Sequence, residues 1–395
     1  MMKGITRQFT LLVPLVVVLL TASLSDTSVE ASFGEHHGRW RFRHNWSPPP
    51  PPPPKSSPPP PPPKSSPPPP APKSPPPPPL PTPGLRVGFY ASTACSNVED
   101  VVRAEVKAAV AANPGIVALL LRMYFHDCFA DGQCDASLLI NQNKDASVPT
   151  EQASGANQGI RGLPFIETLK EKVVAACTGN QDLVSCADIM ALATRDAVAL
   201  ASNRAPYAIP TGRFDGKVSL QTNADTLPGS TTAIAAIVAR FAKEGFSAEE
   251  TVILSGAHTV GQVRCEFFDD RLYDFDGTDE PDPSLNTTTA AQLRKTCTNT
   301  GAASEQNRVF LDQGPNSAFV IDKDYYVMLT QHNGVMESDQ KLLTDPLTSA
   351  FVPPLALGSQ DNFASKFEAA LIKMGNLGAL SSAKGDIRHV CSVLN

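Results

Sequence analysis

The densest group of chemically reactive side chains lies in the sixteen residues from Arg122 to Ser137. This segment contains one Arg, one His, two Cys, three Asp and one Ser. Arg122 and His126 are four residues apart and would share one face of a helix, whereas Asp127 would point about 100° away. The guanidinium and the imidazole could therefore act on one ligand and the carboxylate on another. A proton-accepting imidazole beside a cation that stabilises a developing anion suits the cleavage of a peroxide.

His258 is the second residue whose setting suggests chemistry. It lies in L-S-G-A-H-T-V-G, directly after an apolar helical stretch. Imidazole is a good axial ligand for iron, and such a ligand commonly gives its other ring N–H to a carboxylate. Asp339, in G-V-M-E-S-D-Q, is our candidate for that carboxylate, and the spacing alone leaves other partners open.

The loop after His126 has the composition of a calcium site. Calcium takes about 6–8 oxygen ligands from carboxylates, hydroxyls and carbonyls. Cys128 and Cys134 could close the loop with a disulfide. An Asp-rich surface turn is the alternative interpretation. The candidate ligands are Asp127, Ala130, Gly132, Asp135 and Ser137.

The elements that must position these residues are helices. Asn113 can cap the helix that leads to His126, and Pro114 suits its first position. Apolar residues recur at helical spacing through residues 84–395, where β-branched alternating runs are scarce. We therefore predict a mostly α domain with irregular loops joined by disulfides. The predicted helices span residues 98–112, 116–126, 163–176, 186–200, 232–241, 248–254, 290–297, 325–331 and 361–375.

Residues 1–25 have the pattern of a secretory signal. Lys3 and Arg7 precede an apolar run at residues 9–20, and small residues suitable for cleavage follow. The run is shorter than a membrane span of about 20 residues, so we expect export and no membrane partner. With export, eight cysteines indicate four disulfides. The net charge of −6 argues against a nucleic-acid partner.

Residues 26–83 form a predicted disordered arm. From residue 47 they are proline runs interrupted by K-S-S and K-S, so polyproline II is the expected conformation. Lys55, Lys64 and Lys73 are nine residues apart, which places their ammonium groups along one side of a three-residue helix. That row could bind an acidic polysaccharide or could simply keep a spacer soluble, and the sequence leaves both open.

Longer motifs extend these local patterns into a family resemblance. L-R-M-Y-F-H-D-C-F around His126 and L-S-G-A-H-T-V-G around His258 resemble distal and proximal haem motifs. F-Y-x4-C, V-S-C-A-D-I-M-A-L-A-T-R-D-A-V, Y-Y-V-M-L and S-D-Q stand in matching order. Residues 85–395 thus closely resemble the class III secretory haem peroxidases of plants. The proline-rich N-terminal extension resembles extensins, the hydroxyproline-rich glycoproteins of plant cell walls. The resemblance implies two helical lobes that enclose haem b.

The resemblance gives the residues near His126 specific roles. His126 would be the distal acid and base, and Arg122 would stabilise the transition state. Phe125 would shield the haem edge, and Asn157 would hydrogen-bond His126. Pro228 would offer its carbonyl oxygen to reducing substrates.

The resemblance also implies metal ligands and disulfides. His258 would ligate the haem iron, with Asp339 as its carboxylate partner. Two Ca²⁺ ions are implied, the distal one better supported than the proximal one. The distal ligands would be Asp127, Ala130, Gly132, Asp135 and Ser137, with Glu151 reached through water, and the proximal ligands Thr259, Asp312 and Asp322. The implied disulfides are Cys95–Cys177, Cys128–Cys134, Cys186–Cys391 and Cys265–Cys297.

Four departures from the family pattern concern the metal loops and the distal side. Gln133 lengthens the loop between Cys128 and Cys134 by one residue, so either Gly132 or Gln133 could supply the calcium carbonyl. Tyr124 stands where the family commonly has His. The proximal calcium segment is two residues longer than usual, with Ser317 as the nearest substitute for its Thr. Counting back from Arg161 rather than forward from Glu151 shifts the position of Asn157 by one residue.

The resemblance implies an enzyme that reduces hydrogen peroxide and oxidises small phenolic donors in one-electron steps. We expect a secreted monomer of the plant cell wall that acts in lignification, cross-linking or the stress response. Sequons at Asn45 and Asn286 predict glycosylation. The alternative is a structural hydroxyproline-rich wall glycoprotein with an inactive peroxidase-like domain. The joint presence of Arg122, His126 and His258 argues against that alternative.

Overall fold

The protein is described by a computed structural model whose described residues are 84–130, 132–299, 305–314, 318–380 and 384–395. All of them belong to the second of two compact units, residues 74–395. The predicted signal, the proline-rich arm and the Asn45 sequon lie outside the described residues, as does Ser317. In the described ranges, no helix combines the length and the apolar character needed to cross a membrane.

Helices dominate the described residues, which confirms the mostly α prediction. The α-helices are α1 Val98–Ala112, α2 Ile116–Ala130, α3 Leu163–Ala176, α4 Cys186–Ala201, α5 Gln221–Ala224, α6 Ile234–Lys243, α7 Ala248–Ser255, α8 Asp270–Tyr273, α9 Thr287–Thr296, α10 Asp324–Thr330, α11 Glu337–Lys341, α12 Val352–Leu357 and α13 Gln360–Gly375. Two strands, β1 Gln262–Arg264 and β2 Arg308–Phe310, pair antiparallel.

The long helices follow directly from local sequence. The apolar spacing of α1 buries Val98, Val102 and Val106 on one face. Ser185 caps α4 by accepting the Asp188 N–H at 3.1 Å. The predicted bounds of α1 and α3 agree with the structure, and the other predicted helices differ by a few residues at their ends.

The predicted cap and the predicted end of α2 are wrong, whereas its predicted start at residue 116 agrees with the structure. Asn113 has an extended backbone and ends α1, and its Oδ1 accepts the Gly115 N–H at 3.0 Å. A short turn therefore separates Asn113 from α2, which begins at Ile116. At the other end, α2 continues four residues past His126, because Cys128 and Phe129 on this extra turn are fully buried.

Two groups of helices build the core. In the first group, α1 packs against α3 and α4, and α2 packs against α4. In the second, α7 packs against α6 and α13, and α10 against α12. Helix α13 also contacts α2, so the two groups share one hydrophobic core. A smaller core lies beneath β1 and β2, around Phe268, Leu272 and Leu293.

The sequence pattern did not predict two short elements that matter for the site. The β1–β2 ribbon has only three residues in each strand, too few for alternation to be recognised. Helix α11 reads E-S-D-Q-K and has no apolar period at all. Its position is set by packing, since Glu337, Ser338, Asp339 and Gln340 are all buried.

Four disulfides join the pairs that the resemblance implies. They are Cys95–Cys177, Cys128–Cys134, Cys186–Cys391 and Cys265–Cys297. The described part of the chain contains no free cysteine. The bond from Cys186 to Cys391 closes a sequence separation of 205 residues and ties the C-terminus to the start of α4. The Cys128–Cys134 bond fixes the loop that follows α2.

Tyr124, which departs from the family pattern, carries a polar group into the core. Its side chain is 1% exposed, and its hydroxyl has no hydrogen-bond partner among the described residues. Burial raises the pKa of this hydroxyl to about 12. Gly375 lies so close that a Cβ there would overlap the Tyr124 hydroxyl. A buried unsatisfied hydroxyl costs stability.

We expect Tyr124→Phe to raise the free energy of unfolding by about 1 kcal/mol, because it removes an unsatisfied polar group. Tyr326→Phe is the matched control. The Tyr326 hydroxyl lies 3.1 Å from the carbonyl oxygens of both Val252 and Ile253, so this variant should lose about 1 kcal/mol. Thermal unfolding with the disulfides intact measures both variants. Equal destabilisation of the two would show that the Tyr124 hydroxyl is satisfied.

Candidate functional site

Helix α2 brings Arg122 and His126 to one cavity. Arg122 Nη2 donates to the carbonyl oxygens of Ala156 and Gln158 at 3.0 and 3.3 Å. Its Nε donates to His126 Nε2 at 3.4 Å. These bonds hold the guanidinium beside the imidazole, on the shared face that the four-residue spacing predicts.

Asn157 sets which ring nitrogen of His126 carries the hydrogen. Its Oδ1 accepts the Nδ1–H of His126 at 2.6 Å, and its Nδ2 donates to the Glu151 carbonyl oxygen at 2.7 Å. The second bond fixes which end of the amide faces the imidazole. Burial first, and then the Arg122 charge, lower the pKa of His126 to about 3 despite the Asn157 bond. At neutral pH His126 is thus uncharged, and the lone pair of its Nε2, toward which the Arg122 Nε–H points at 3.4 Å, is the site that can accept a proton.

His258 lies on a short 3₁₀ turn, Gly256–Thr259, directly after α7. Its Nδ1 donates to Asp339 Oδ1 at 2.9 Å, and the Tyr325 hydroxyl donates to the same oxygen at 2.9 Å. Burial alone would lower the pKa of His258, but the Asp339 charge and hydrogen bond outweigh it and raise the pKa. The side chain of His258 remains 38% exposed because it lines the cavity.

The two histidines line the same cavity, whose volume is about 830 Å³. That is a typical volume for a buried cofactor site. Most of its lining is apolar. The cavity is also lined by three other residues that we predicted as site residues from the sequence, namely Phe125, Pro228 and Asp339.

The donor set fits haem. His258 presents Nε2 to the cavity while Nδ1 is bound to a carboxylate, the arrangement of a haem-iron ligand. His126 is hydrogen-bonded through Nδ1 to an amide oxygen and carries an unusually low pKa. The two imidazoles therefore have different partners and different basicities, as an iron ligand and a proton acceptor require.

The acidic loop after α2 brings buried carboxylates together. Asp127 accepts the N–H groups of Ala136 and Leu138 at 3.0 and 3.4 Å. Ser137 Oγ donates to Glu151 Oε1 at 2.8 Å. Burial, followed by the charges of Asp135 and Glu151, raises the pKa of Asp127. A bound cation would relieve this repulsion.

Two other expected calcium ligands, Ala130 and Gly132, belong to the same segment. The Ala130 carbonyl oxygen accepts a hydrogen bond from Thr226 Oγ1 at 3.1 Å. Gly132 has a positive φ of 77°. The additional residue Gln133 packs against Gly378, where a Cβ would be 2.6 Å from Gln133 Cγ. The longer loop is accommodated because residue 378 has no side chain.

The residues expected to bind the second calcium ion lie close to Thr259. Thr259 Oγ1 is 3.1 Å from Asp322 Oδ1 and 3.4 Å from Asp312 Oδ2. It is 3.2 Å from the Val320 carbonyl oxygen. Burial raises the pKa of Asp322 to about 6.

Both loops would need backbone and hydroxyl oxygens to hold calcium. Within the described ranges, no group of three or more His, Cys, Asp or Glu side chains is placed to hold a metal ion by itself. Calcium sites commonly combine carboxylates with carbonyl, hydroxyl and water oxygens. The two loops offer such mixed sets.

Sequence reasoning missed three residues at this cavity. Tyr325 shares the Asp339 oxygen with His258, and only the motif Y-Y-V-M-L pointed to its segment. Arg264 and Arg308 line the cavity from β1 and β2, the ribbon that the pattern did not predict.

Similarity to known proteins agrees with this geometry. A sequence model of the Peroxidase family matches residues 102–357. Peroxidase 71 of Arabidopsis thaliana is 40% identical over 315 residues, which are 80% of this chain and 91% of that protein. Peroxidase 57 of the same plant is 41% identical over 312 residues, 79% of this chain and 93% of that protein. Peroxidase N1 of Nicotiana tabacum is 40% identical over 316 residues, with 79% and 91% covered. Since the family match spans more than half of the chain, and these relatives are matched over nearly their whole length, this chain is a peroxidase enzyme and belongs to the peroxidase family.

Proposed function

We propose that this peroxidase binds haem b, reduces hydrogen peroxide and oxidises small phenolic donors outside the cell. One observation carries the proposal. Two histidines line one cavity, and each is bound through Nδ1 to a different partner, an amide oxygen for His126 and a carboxylate for His258. This pairing gives one neutral proton acceptor and one basic metal ligand.

His258 would hold the haem iron, and Asp339 and Tyr325 would keep its imidazole oriented. A haem bound here would supply the electrons that peroxide takes and would regain them from the donors. The overall reaction converts one hydrogen peroxide and two phenols into two waters and two phenoxyl radicals. The apolar lining of the cavity would exclude bulk water from the cofactor.

His126 and Arg122 would act on peroxide. Nε2 of His126 takes a proton from one peroxide oxygen and returns it to the oxygen that departs as water. Arg122 stabilises the negative charge that develops as the O–O bond breaks. Its position is set by the Ala156 and Gln158 carbonyl oxygens. Asn157 keeps the His126 Nδ1 protonated, so that Nε2 remains the basic nitrogen.

The donor would approach near Pro228 and Phe125, which line the same cavity. The Pro228 carbonyl oxygen would accept the phenolic O–H, and the Phe125 ring would limit access to the cofactor. Phe125 is itself held in a cluster with Phe129 and Phe241, at centroid distances of 4.7 and 5.9 Å.

Calcium would hold the end of α2 and the proximal loop. The distal ligands would be Asp127, Ala130, Gly132, Asp135 and Ser137, with Glu151 through water, and the proximal ones Thr259, Asp312 and Asp322. The distal site would also help to orient His126. The Glu151 carbonyl oxygen accepts a hydrogen bond from Asn157, and Asn157 in turn accepts one from His126. A cation among the buried carboxylates would therefore support the proton acceptor as well as the loop.

Calcium removal should lower the melting temperature by about 5–10 °C and reduce the activity, and added calcium should restore both. During chelation we would measure the calcium content by mass spectrometry, the melting temperature by thermal unfolding and the activity by guaiacol oxidation. Asp135→Asn should lose the distal ion, whereas Asp145→Asn, at an exposed position, should keep it. Release of calcium with unchanged activity would contradict the positioning role.

The N-terminal residues would place the enzyme in the plant cell wall. We propose that residues 1–25 direct export and that residues 26–83 tether the catalytic domain, residues 84–395, to acidic wall polysaccharide. The enzyme would act as a monomer in lignification, cross-linking or stress responses.

Guaiacol oxidation before and after removal of the arm tests this proposal. Activity should persist without the arm, while salt-sensitive binding to polygalacturonate should be lost. A chain that takes up no haem during oxidative refolding and oxidises no guaiacol would instead support the structural glycoprotein alternative.

A further inference from the structure

The β1–β2 ribbon places two arginines directly opposite each other at the cavity. Arg264 pairs with Arg308 in the antiparallel register, and Gln262 pairs with Phe310. Alternate residues of a strand share one face, so these four side chains lie on the same side of the ribbon. All four line the cavity. Like charges directly opposite each other destabilise a β-ladder, so this pair calls for a functional explanation.

A third arginine completes a cationic cluster, which we define as Arg161, Arg264 and Arg308. Arg161 is exposed and lines the same cavity from the loop before α3. The Arg308 side chain extends to that loop. A Cβ atom added to Gly159 would lie 3.9 Å from Arg308 Nη2. The cluster thus spans from the ribbon to the loop that holds Arg122.

The cluster is only partly neutralised. Arg264 Nη2 is 2.6 Å from Glu266 Oε1. Burial and the charges of Arg161 and Arg264 lower the pKa of Arg308 in spite of Glu266. Burial, followed by the three cluster arginines, also lowers the pKa of Arg122 to about 10. Repulsion between the cations therefore acts at Arg308 and at Arg122, and an anion bound to the cluster would relieve it.

Aromatic rings lie beside the cationic cluster. Phe310 contacts Phe319 edge to face at 5.3 Å, and both line the cavity. Phe319 is 44% exposed. Arg264 lies over the Phe267 ring at 4.9 Å. Cations and apolar rings next to each other match a ligand with an aromatic ring and a carboxylate.

We propose that Arg161, Arg264 and Arg308 form a carboxylate-binding site that selects anionic aromatic donors over neutral ones. The inference rests on the proposed oxidation of phenols and names the class that is preferred, the phenolic carboxylic acids. The carboxylate lies against the cluster, and the aromatic ring packs toward Phe310 and Phe319. Arg308 is the central residue, because it connects the ribbon to the Arg161 loop.

The same chemistry could serve the carboxylates of a bound haem. A carboxylate of the haem and a carboxylate of the donor can be distinguished by experiment. If the cluster holds the cofactor, loss of Arg308 will lower the haem content and affect every donor alike. If it holds the donor, the haem content and absorption spectrum will be unchanged and only anionic donors will be affected.

Ferulate and coniferyl alcohol are matched probes, since they share a ring and differ in the charge of the side chain. The quantity to measure is the ratio of kcat/KM for ferulate to kcat/KM for coniferyl alcohol in the haem-loaded enzyme. We expect Arg308→Gln to lower this ratio about fivefold to tenfold, mainly through the KM for ferulate. Arg308→Lys should keep most of it. Glu266→Gln should raise the ratio, because it frees Arg264.

Two controls separate local from general effects. Lys172→Gln removes the same charge from α3, outside the cavity, where the Lys172 side chain is 56% exposed, and should leave the ratio unchanged. Added salt should lower the ratio in the unmodified enzyme and have less effect in Arg308→Gln. Ferulate titration of the resting enzyme, followed by the haem absorption band, gives a dissociation constant that should rise by the same factor.

An unchanged ratio in Arg308→Gln, with coniferyl alcohol oxidised normally, would overturn the carboxylate site and leave the proposed function intact. A fall in haem content with equal losses for both donors would assign the cluster to the cofactor and also overturn it. Failure of the unmodified enzyme to oxidise either donor would overturn the proposed function itself.

Discussion

His126→Leu should retain haem and lose peroxide reduction by about 10²- to 10⁴-fold, the contribution of a positioned acid and base. Leu cannot accept a proton from peroxide or return one to the departing oxygen. The haem would remain because its ligand, His258, is on a different element. The measurement is the rate of the haem absorption change after rapid mixing with hydrogen peroxide, together with the haem content.

His332→Asn is the matched control for that variant. His332 is exposed, has a positive φ of 62°, and does not line the cavity. Asn tolerates this backbone conformation, so both haem content and rate should be unchanged. If His126→Leu reacted with peroxide at the unmodified rate, His126 would not be the proton acceptor.

His258→Ala should lose haem or bind it far more weakly, because the chain would no longer offer an iron ligand on that side of the cavity. Added imidazole should partly restore the haem absorption band by occupying the space that the side chain vacates. Haem content after dialysis, with and without imidazole, measures both effects.

Asp339→Asn serves as the comparison for His258→Ala. It leaves the imidazole in place but removes the charge that raises the pKa of His258. We therefore expect haem to remain bound and its absorption spectrum to shift. Full haem retention by His258→Ala without imidazole would show that another residue ligates the iron.

The sequence predicted the parts of the fold that repeat an apolar pattern. Helices α1 and α3 were predicted to the residue, because one apolar face of each repeats over about four turns. The β1–β2 ribbon and α11 were not, because three- and five-residue elements carry no periodic signal. Asn113 has the chemistry of a helix cap, but its extended backbone ends α1 instead.

The site was predicted unevenly for a similar reason. Arg122 and His126 share a local helix, so their spacing alone indicated a common face. His258 and Asp339 are 81 residues apart. Their contact depends on tertiary packing, so the sequence could name Asp339 only as a candidate until the family resemblance implied the pair. The cationic cluster joins a loop and a ribbon that are far apart in sequence, so no local pattern could have indicated it.

The most direct test is a titration of the purified haem-loaded enzyme with hydrogen peroxide in the presence of a phenolic donor. We expect two donor molecules to be oxidised for each peroxide consumed, and we expect His126→Leu to slow this turnover by about 10²- to 10⁴-fold while its haem content stays the same. A haem-loaded enzyme that consumes no peroxide, or a His126→Leu variant that turns over normally, would contradict the account.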